Sequence, residues 1–180
     1  MKMLKTIALG ALVALMLAIL PACAPTGTAA SGGTTPVAAP DPSTATFTID
    51  KNTVTLRDGR NEKEAAPGSA SKIVTALTDK RATGDVDGDG RPDTIVVLTQ
   101  QPGGSGTFYY VAVVLNGASG VTTTPAMLLG DRIAVNGVRL DTATIVVDLL
   151  DRASGQPFTA SPSVSVTKKF AVAQGALQAR

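Results

Sequence analysis

The sequence predicts a mainly β protein, an antiparallel sheet folded as a small sandwich or partly open barrel, with little helix outside its apolar N-terminus. Three observations carry that expectation. Beyond residue 45, about seven or eight β-branched and aromatic runs recur at short spacing. Gly, Asp and Asn punctuate them where hairpins turn. Apolar residues at helical spacing are scarce.

The chain opens with Lys2 and Lys5, followed by an apolar stretch from Ile7 to Leu20. A basic start leading into such a stretch reads as an export signal over residues 1–22. The stretch falls short of the roughly 20 apolar residues that a membrane-spanning helix needs. It ends in Leu20-Pro21-Ala22-Cys23. This tetrapeptide resembles the bacterial lipobox: Leu, one intervening residue, a small residue, then Cys. Pro21 departs from the preferred pattern. The resemblance implies cleavage before Cys23, a thioether lipid on its sulfur and an acylated amino terminus. A plain secretory signal cut after Ala22-Cys23-Ala24 is the competing reading. Cys23 is the only cysteine, so it has no partner for an intramolecular disulfide. A lone thiol just behind an export signal suits acylation better. Several acyl chains on one residue anchor stably where a single chain is marginal. The expected location is the bacterial cell envelope, lipid-anchored and extracytoplasmic. In a cell with two membranes that means the outer one, facing the periplasm.

Residues 23–45 are rich in Thr, Ala, Gly, Pro and Ser, without periodicity. They read as a flexible tether from the lipidated Cys23, and roughly twenty such residues span on the order of 25 Å. Cleavage after Ala22 removes Lys2 and Lys5 and leaves equal numbers of basic and acidic side chains. No dense basic cluster is present, which argues against a nucleic-acid partner.

A single β domain is expected over 46–175, with a disordered tail at 176–180. Thr46–Asp50 alternates as a strand, Lys51-Asn52-Thr53 turns, and Val54–Arg57 returns to Asp58-Gly59. Arg60–Ser69 is polar and reads as a loop. Lys72–Thr78 is β-branched and reads as strand, with a short helix as the alternative. Thr94–Thr99 and Thr107–Leu115 are apolar on both faces, the pattern of interior strands covered on both sides. Gln101–Gly106 links them as a long hairpin. Ala126–Arg132 follows, then Ile133–Leu140 and Thr144–Leu150. Asn136-Gly137 is a hairpin dipeptide. A turn there leaves too short a strand before Asp141, so one kinked strand turning at Asp141-Thr142-Ala143 is preferred. In the last strand, Ser163–Val172, Lys168 breaks an apolar face of Val164, Val166, Phe170 and Val172. That pattern predicts an exposed sheet edge.

The stretch Asp85-Val86-Asp87-Gly88-Asp89-Gly90-Arg91-Pro92-Asp93 stands apart. Its carboxylates fall at loop positions 1, 3, 5 and 9, with glycine at 6. Ca²⁺ takes six to eight hard oxygen ligands, and short carboxylates on alternate residues supply them. Gly90 allows the sharp turn, and the Arg91 carbonyl would be the position-7 ligand. An EF-hand carries a bidentate Glu at position 12, where this chain has Val96 inside an apolar run. The loop instead resembles the strand-flanked calcium loops of integrin-type propeller repeats. That resemblance implies ligand roles for Asp85, Asp87, Asp89, Asp93 and the Arg91 carbonyl. The competing reading is an acidic Asp/Gly turn without metal. Four like charges in so short a span repel unless something neutralises them, which favours one structural Ca²⁺. The loop does not recur, so a propeller is not expected.

Gly84–Gly90, Val96-Val97-Leu98, Gly103–Tyr110 and Leu129-Gly130-Asp131-Arg132, taken in order, resemble a group of small bacterial secreted proteins and lipoproteins. The resemblance implies an envelope location and supplies no mechanism. The chain has no His, which excludes Ser-His-Asp and Cys-His catalysis and a His-ligated zinc. Ser69-Ala70-Ser71-Lys72 matches the two-letter Ser-x-x-Lys pattern of penicillin-binding enzymes without its partner motifs. Asp131, Asp148 and Asp151 are loose candidates for a carboxylate pair, and Asp131-Arg132 reads more simply as a structural ion pair. The expectation is a non-enzymatic, calcium-stabilised interaction or structural module on the envelope membrane, with an unidentified envelope protein as possible partner. A periplasmic binder or inhibitor of an enzyme is the alternative, and a metal-dependent hydrolase the third reading.

Overall fold

The structure is a computed structural model and describes residues 37–104 and 106–180. The expected export segment, Cys23 and the expected tether up to residue 36 lie outside the described residues, as does Ser105.

Three antiparallel sheets build the domain, and none closes into a barrel. After a 3-10 turn at Pro42–Thr44, capped by the Asp41 side chain, β1 (Thr46–Ile49) and β2 (Asn52–Thr55) form a hairpin. A second sheet runs β3 (Arg60–Glu64), β4 (Lys72–Gly84), β5 (Asp93–Gln101), β6 (Phe108–Gly117) and β7 (Gly120–Thr123). An eighth strand, β8 (Met127–Asp131), pairs with Phe108–Val111 of β6, on the edge where β7 takes the strand's other end. The third sheet orders β9 (Ala134–Asp141), β10 (Thr144–Asp151), β11 (Val164–Ala173) and β12 (Ala176–Ala179) as β12-β11-β10-β9.

The doubly apolar runs sit at the centre, as their pattern requires. Side chains alternate across a strand. In β5, Ile95 and Val97 face a core shared with Ile145, Val147 and Leu149 of β10 and with Phe170. Val96 and Leu98 face the opposite way, onto Phe47, Ile49, Val54 and Leu56 of the small hairpin and its exit. β6 divides likewise, Val111 and Val113 to the first core, Ala112 and Val114 to the second. The central sheet is therefore covered on both faces. Each fully buried branched side chain contributes roughly 1.5–3 kcal/mol through removal from water.

Several boundaries differ from expectation. The first hairpin turns at Asp50-Lys51, both at positive φ, not at residues 51–53. A two-residue primed turn matches strand twist better than a longer polar link. Arg60–Glu64, expected as loop, is β3: backbone pairing with β4 is indifferent to charge at an edge, and Glu62 pairs with Arg60 and Lys72 at 2.7 and 3.3 Å. β4 continues past Thr78 to Gly84 across a register shift between Leu77 and Arg81. β7 had no apolar alternation to announce it. β9 agrees with expectation: Asn136-Gly137 makes a bulge, not a turn, and one strand runs on to Asp141 before the next turn. Residues 176–180, expected as a disordered tail, supply β12, which pairs with Phe170–Ala173 after a Gln174-Gly175 turn and buries Leu177. The far half of β11 is thus interior to its sheet, and only Val164–Lys168 keeps the open edge expected of the whole strand.

Candidate metal centre

The acidic loop joins β4 to β5 in the central sheet, and the pair Gly84↔Asp93 closes its base. The base is crowded on one side: a methyl at Gly84 would lie 2.6 Å from Leu140 Cδ2. Val86 turns away from the carboxylates and is buried in the main core, which pins the loop from beneath. Gly88 and Gly90 hold φ of 85° and 82°, a region that a side chain disfavours.

Asp85, Asp87 and Asp89 converge. One oxygen from each lies within 4.8 Å of the others, the group of acidic side chains among the described residues placed to share a cation. Backbone N–H groups organise them. Asp85 Oδ1 accepts from Gly88 N at 2.7 Å and its Oδ2 from Gly90 N at 2.9 Å. Asp87 Oδ1 accepts from Asp89 N at 3.2 Å, and Asp89 Oδ1 from Arg91 N at 2.8 Å. The N–H groups of Gly90 and Gly88 hold the Asp85 carboxyl below the usual carboxylate range. A carboxylate kept ionised and turned inward is a suitable hard-oxygen ligand.

Asp93 lies outside that triad. It is fully buried, with Oδ1 accepting from Asn116 N at 2.8 Å and Oδ2 from Val86 N at 2.9 Å. Burial pushes its carboxyl up from the ordinary range, against the pull of the two N–H groups, and the Asp87 and Asp89 charges add to the rise. Its position therefore registers the charge of the loop while its oxygens tie the loop to β6. Arg91 contributes its N–H to the ring of contacts and is half-buried at the loop exit.

Asn116 escaped the sequence reading, where Asn116-Gly117 served only to end a strand. Its side-chain amide donates to the Pro92 carbonyl at 3.3 Å and to the Ala38 carbonyl at 3.2 Å. Thr94 Oγ1 donates to the Pro40 carbonyl at 2.7 Å. The segment entering the domain is thereby fastened beside the acidic loop. No local signal announces this, because Ala38 and Asn116 are far apart in sequence.

The other candidate chemistry has structural occupations. Lys72 Nζ pairs with Glu62, and the Ser69 hydroxyl accepts from Ser71 N at 3.1 Å. Asp131 Oδ1 accepts from Thr107 N at 3.0 Å and its Oδ2 lies 3.7 Å from the Arg132 guanidinium. Asp148 takes Thr167 Oγ1 at 2.7 Å and pairs with Arg139. Arg152, also unremarked in the sequence, donates to the carbonyls of Asp131 and Arg132, and Arg132 and Arg152 lie over the Phe158 ring at 5.1 and 5.6 Å respectively.

No protein-family model matches the chain, and no curated protein or solved structure does either.

Proposed function

We propose that the protein is a bacterial envelope lipoprotein, held to the membrane through acylated Cys23, whose β domain is a non-enzymatic interaction module stabilised by one Ca²⁺. The convergence of Asp85, Asp87 and Asp89 at the tip of a core-anchored hairpin supports the metal. The donor set is all oxygen, which suits Ca²⁺ over softer transition metals. The Arg91 carbonyl and water complete the shell, while Asp93, the further ligand implied by the resemblance to propeller loops, is held outside the triad by Val86 N and Asn116 N and ties the loop to the sheet. The function of the metal is structural: it neutralises three carboxylates that otherwise repel one another. The lipobox-like Leu20–Cys23 supports the anchor.

Two measurements test this. Calorimetry of the full chain with Ca²⁺ should give binding heat, and melts should differ between Ca²⁺ and EDTA; identical melts and no heat at millimolar Ca²⁺ would sink the metal. Mass spectrometry of the chain recovered from bacterial membranes should find a diacylglycerol-type adduct on Cys23, and Cys23→Ala should release it. An unmodified Cys23 on a soluble product defeats the anchor.

A further inference from the structure

One surface of the domain, between β8 and β11, leaves strand backbone unpaired. β8 pairs with β6 along one edge, and among the described residues no strand pairs with its other edge. β11 meets β12 from Phe170 onward, and its Lys169 carbonyl accepts from Arg180 N at 2.9 Å, so on that side it is open only from Val164 to Lys168. The open edge of β8 and the place where β12 joins β11 border one groove of about 310 Å³, lined by Met127 and Leu128 of β8, Lys168, Lys169 and Phe170 of β11, and Arg180. Lys168 Nζ crosses it and donates at 2.7 Å to the carbonyl of Leu129, the residue set out of the β8 ladder by a register shift. Leu128 is 49% exposed, well above what a strand residue facing a core shows.

The lining combines three properties. It has an apolar floor in Met127, Leu128 and Phe170. It has basic groups in Lys168, Lys169 and Arg180, and no acidic side chain. It has one strand edge, that of β8, which no other strand pairs among the described residues and where Lys168 Nζ meets the Leu129 carbonyl. An extended peptide satisfies all three at once, because main-chain hydrogen bonds add it to the sheet while alternate side chains point to opposite faces.

We propose that this groove takes an extended acidic segment of a partner protein, with acidic and apolar side chains alternating, added as a strand to the open edge of β8. Apolar side chains of the segment enter beside Leu128 and Phe170, and its carboxylates meet Lys169 and Arg180. The chain's own residues 24–36 contain no acidic side chain and so lack the complementary charge. The proposal rests on the reading of the domain as an interaction module and is independent of the metal.

The test begins with immobilised full chain panned against a random-peptide display library. Recovered sequences are remade as labelled peptides and measured by fluorescence anisotropy. Acidic residues alternating with apolar ones should dominate, with binding that weakens as salt is added. Leu128→Lys, and separately Lys169→Glu with Arg180→Glu, should weaken binding by about tenfold or more, while amide exchange at residues 127–131 slows when peptide is bound to the unaltered chain. The exchange readout needs no variant, so a misfolded variant does not decide the outcome. Binders that lack acidic residues, or that ignore both variants and leave residues 127–131 unprotected, preserve the module reading and overturn the groove. No binders at all overturn both. Displacement of the peptide by phosphatidylglycerol vesicles, with the same variant sensitivity, assigns the groove to a lipid surface and overturns the peptide. A concentration-dependent dimer abolished by Leu128→Lys assigns it to a second copy, with the same consequence.

Discussion

The Tyr110 hydroxyl donates to Asp50 Oδ2 at 2.8 Å, a side-chain bond from the central sheet to the primed turn of the small hairpin. Tyr110 is otherwise buried in the second core, so the phenol would be costly without a partner. Tyr110→Phe should destabilise the domain by about 1 kcal/mol, the usual net value of one such bond. Burial pushes the Tyr110 phenol well above its ordinary value, with the Asp50 hydrogen bond and charge adding to the rise. The folded chain then holds a proton that the unfolded chain releases. The resulting stability is whole below pH roughly 10 and declines as pH climbs above it. Melts of the unaltered chain and Tyr110→Phe across that range should converge at the alkaline end; parallel curves would refute the assignment.

The three convergent carboxylates make separable predictions. Without a bidentate Glu, calcium affinity should fall in the extracellular-module range, roughly 10⁻⁴ to 10⁻³ M. At about ten times the dissociation constant, Ca²⁺ should add about 1.4 kcal/mol of stability. Mg²⁺ should add less, because it demands tight octahedral geometry. Asp87→Ala and Asp89→Ala should abolish the calcium-dependent part of the melt and leave the domain folded. Asp85→Ala should also lower the melt in EDTA, since its two oxygens hold Gly88 N and Gly90 N. Equal EDTA melts for Asp85→Ala and Asp87→Ala would contradict that division.

Asp93 should behave as a buried acceptor whatever the metal does. Asp93→Ala strands the amides of Val86 and Asn116, at a cost of about 2–5 kcal/mol for two buried donors left unmade. Asp93→Asn keeps one acceptor oxygen and should cost distinctly less. Denaturant titration in EDTA measures both, and equal losses would show that the two hydrogen bonds are not what the carboxylate provides.

Asp148 gives the acid-side counterpart. The Thr167 hydroxyl first, and the Arg139 guanidinium second, hold its carboxyl below the usual range. The stability this confers is present above the ordinary Asp value and is lost as pH falls through the lowered one. The group is exposed, so the effect should be small and should shrink with salt. Asp148→Asn should flatten the acid limb of the stability curve slightly, and an unchanged limb at low salt would count against the pairing.

Legibility in the sequence tracked how local each determinant is. β5 and β6 were readable because Thr94–Thr99 and Thr107–Leu115 are apolar on both faces, and burial on both faces is what they show. The carboxylate spacing was readable because Asp85, Asp87 and Asp89 meet within one short loop. β3 and β12 were hidden because pairing is done by backbone, which polar residues share. The edge character read from β11 holds for its first half alone, and Lys168, which reads as an interruption of the apolar side, serves the Leu129 carbonyl across the groove. Asn116 was invisible for the same reason as Tyr110 with Asp50: each bond joins segments far apart in the chain.

The fastening of Ala38 to Asn116 and of Pro40 to Thr94 has a mechanical consequence. Thr94 and Asn116 belong to β5 and β6, the strands with core on both sides. Tension applied to the chain at residue 37 enters the domain at its middle, through side chains that bind the leader to interior strands. It does not start at a rim strand that can be peeled one ladder bond at a time. Single-molecule pulling from the N-terminus should therefore meet higher resistance than pulling from the C-terminus, where β12 is the outermost strand of its sheet. Asn116→Ala should narrow the difference between the two directions.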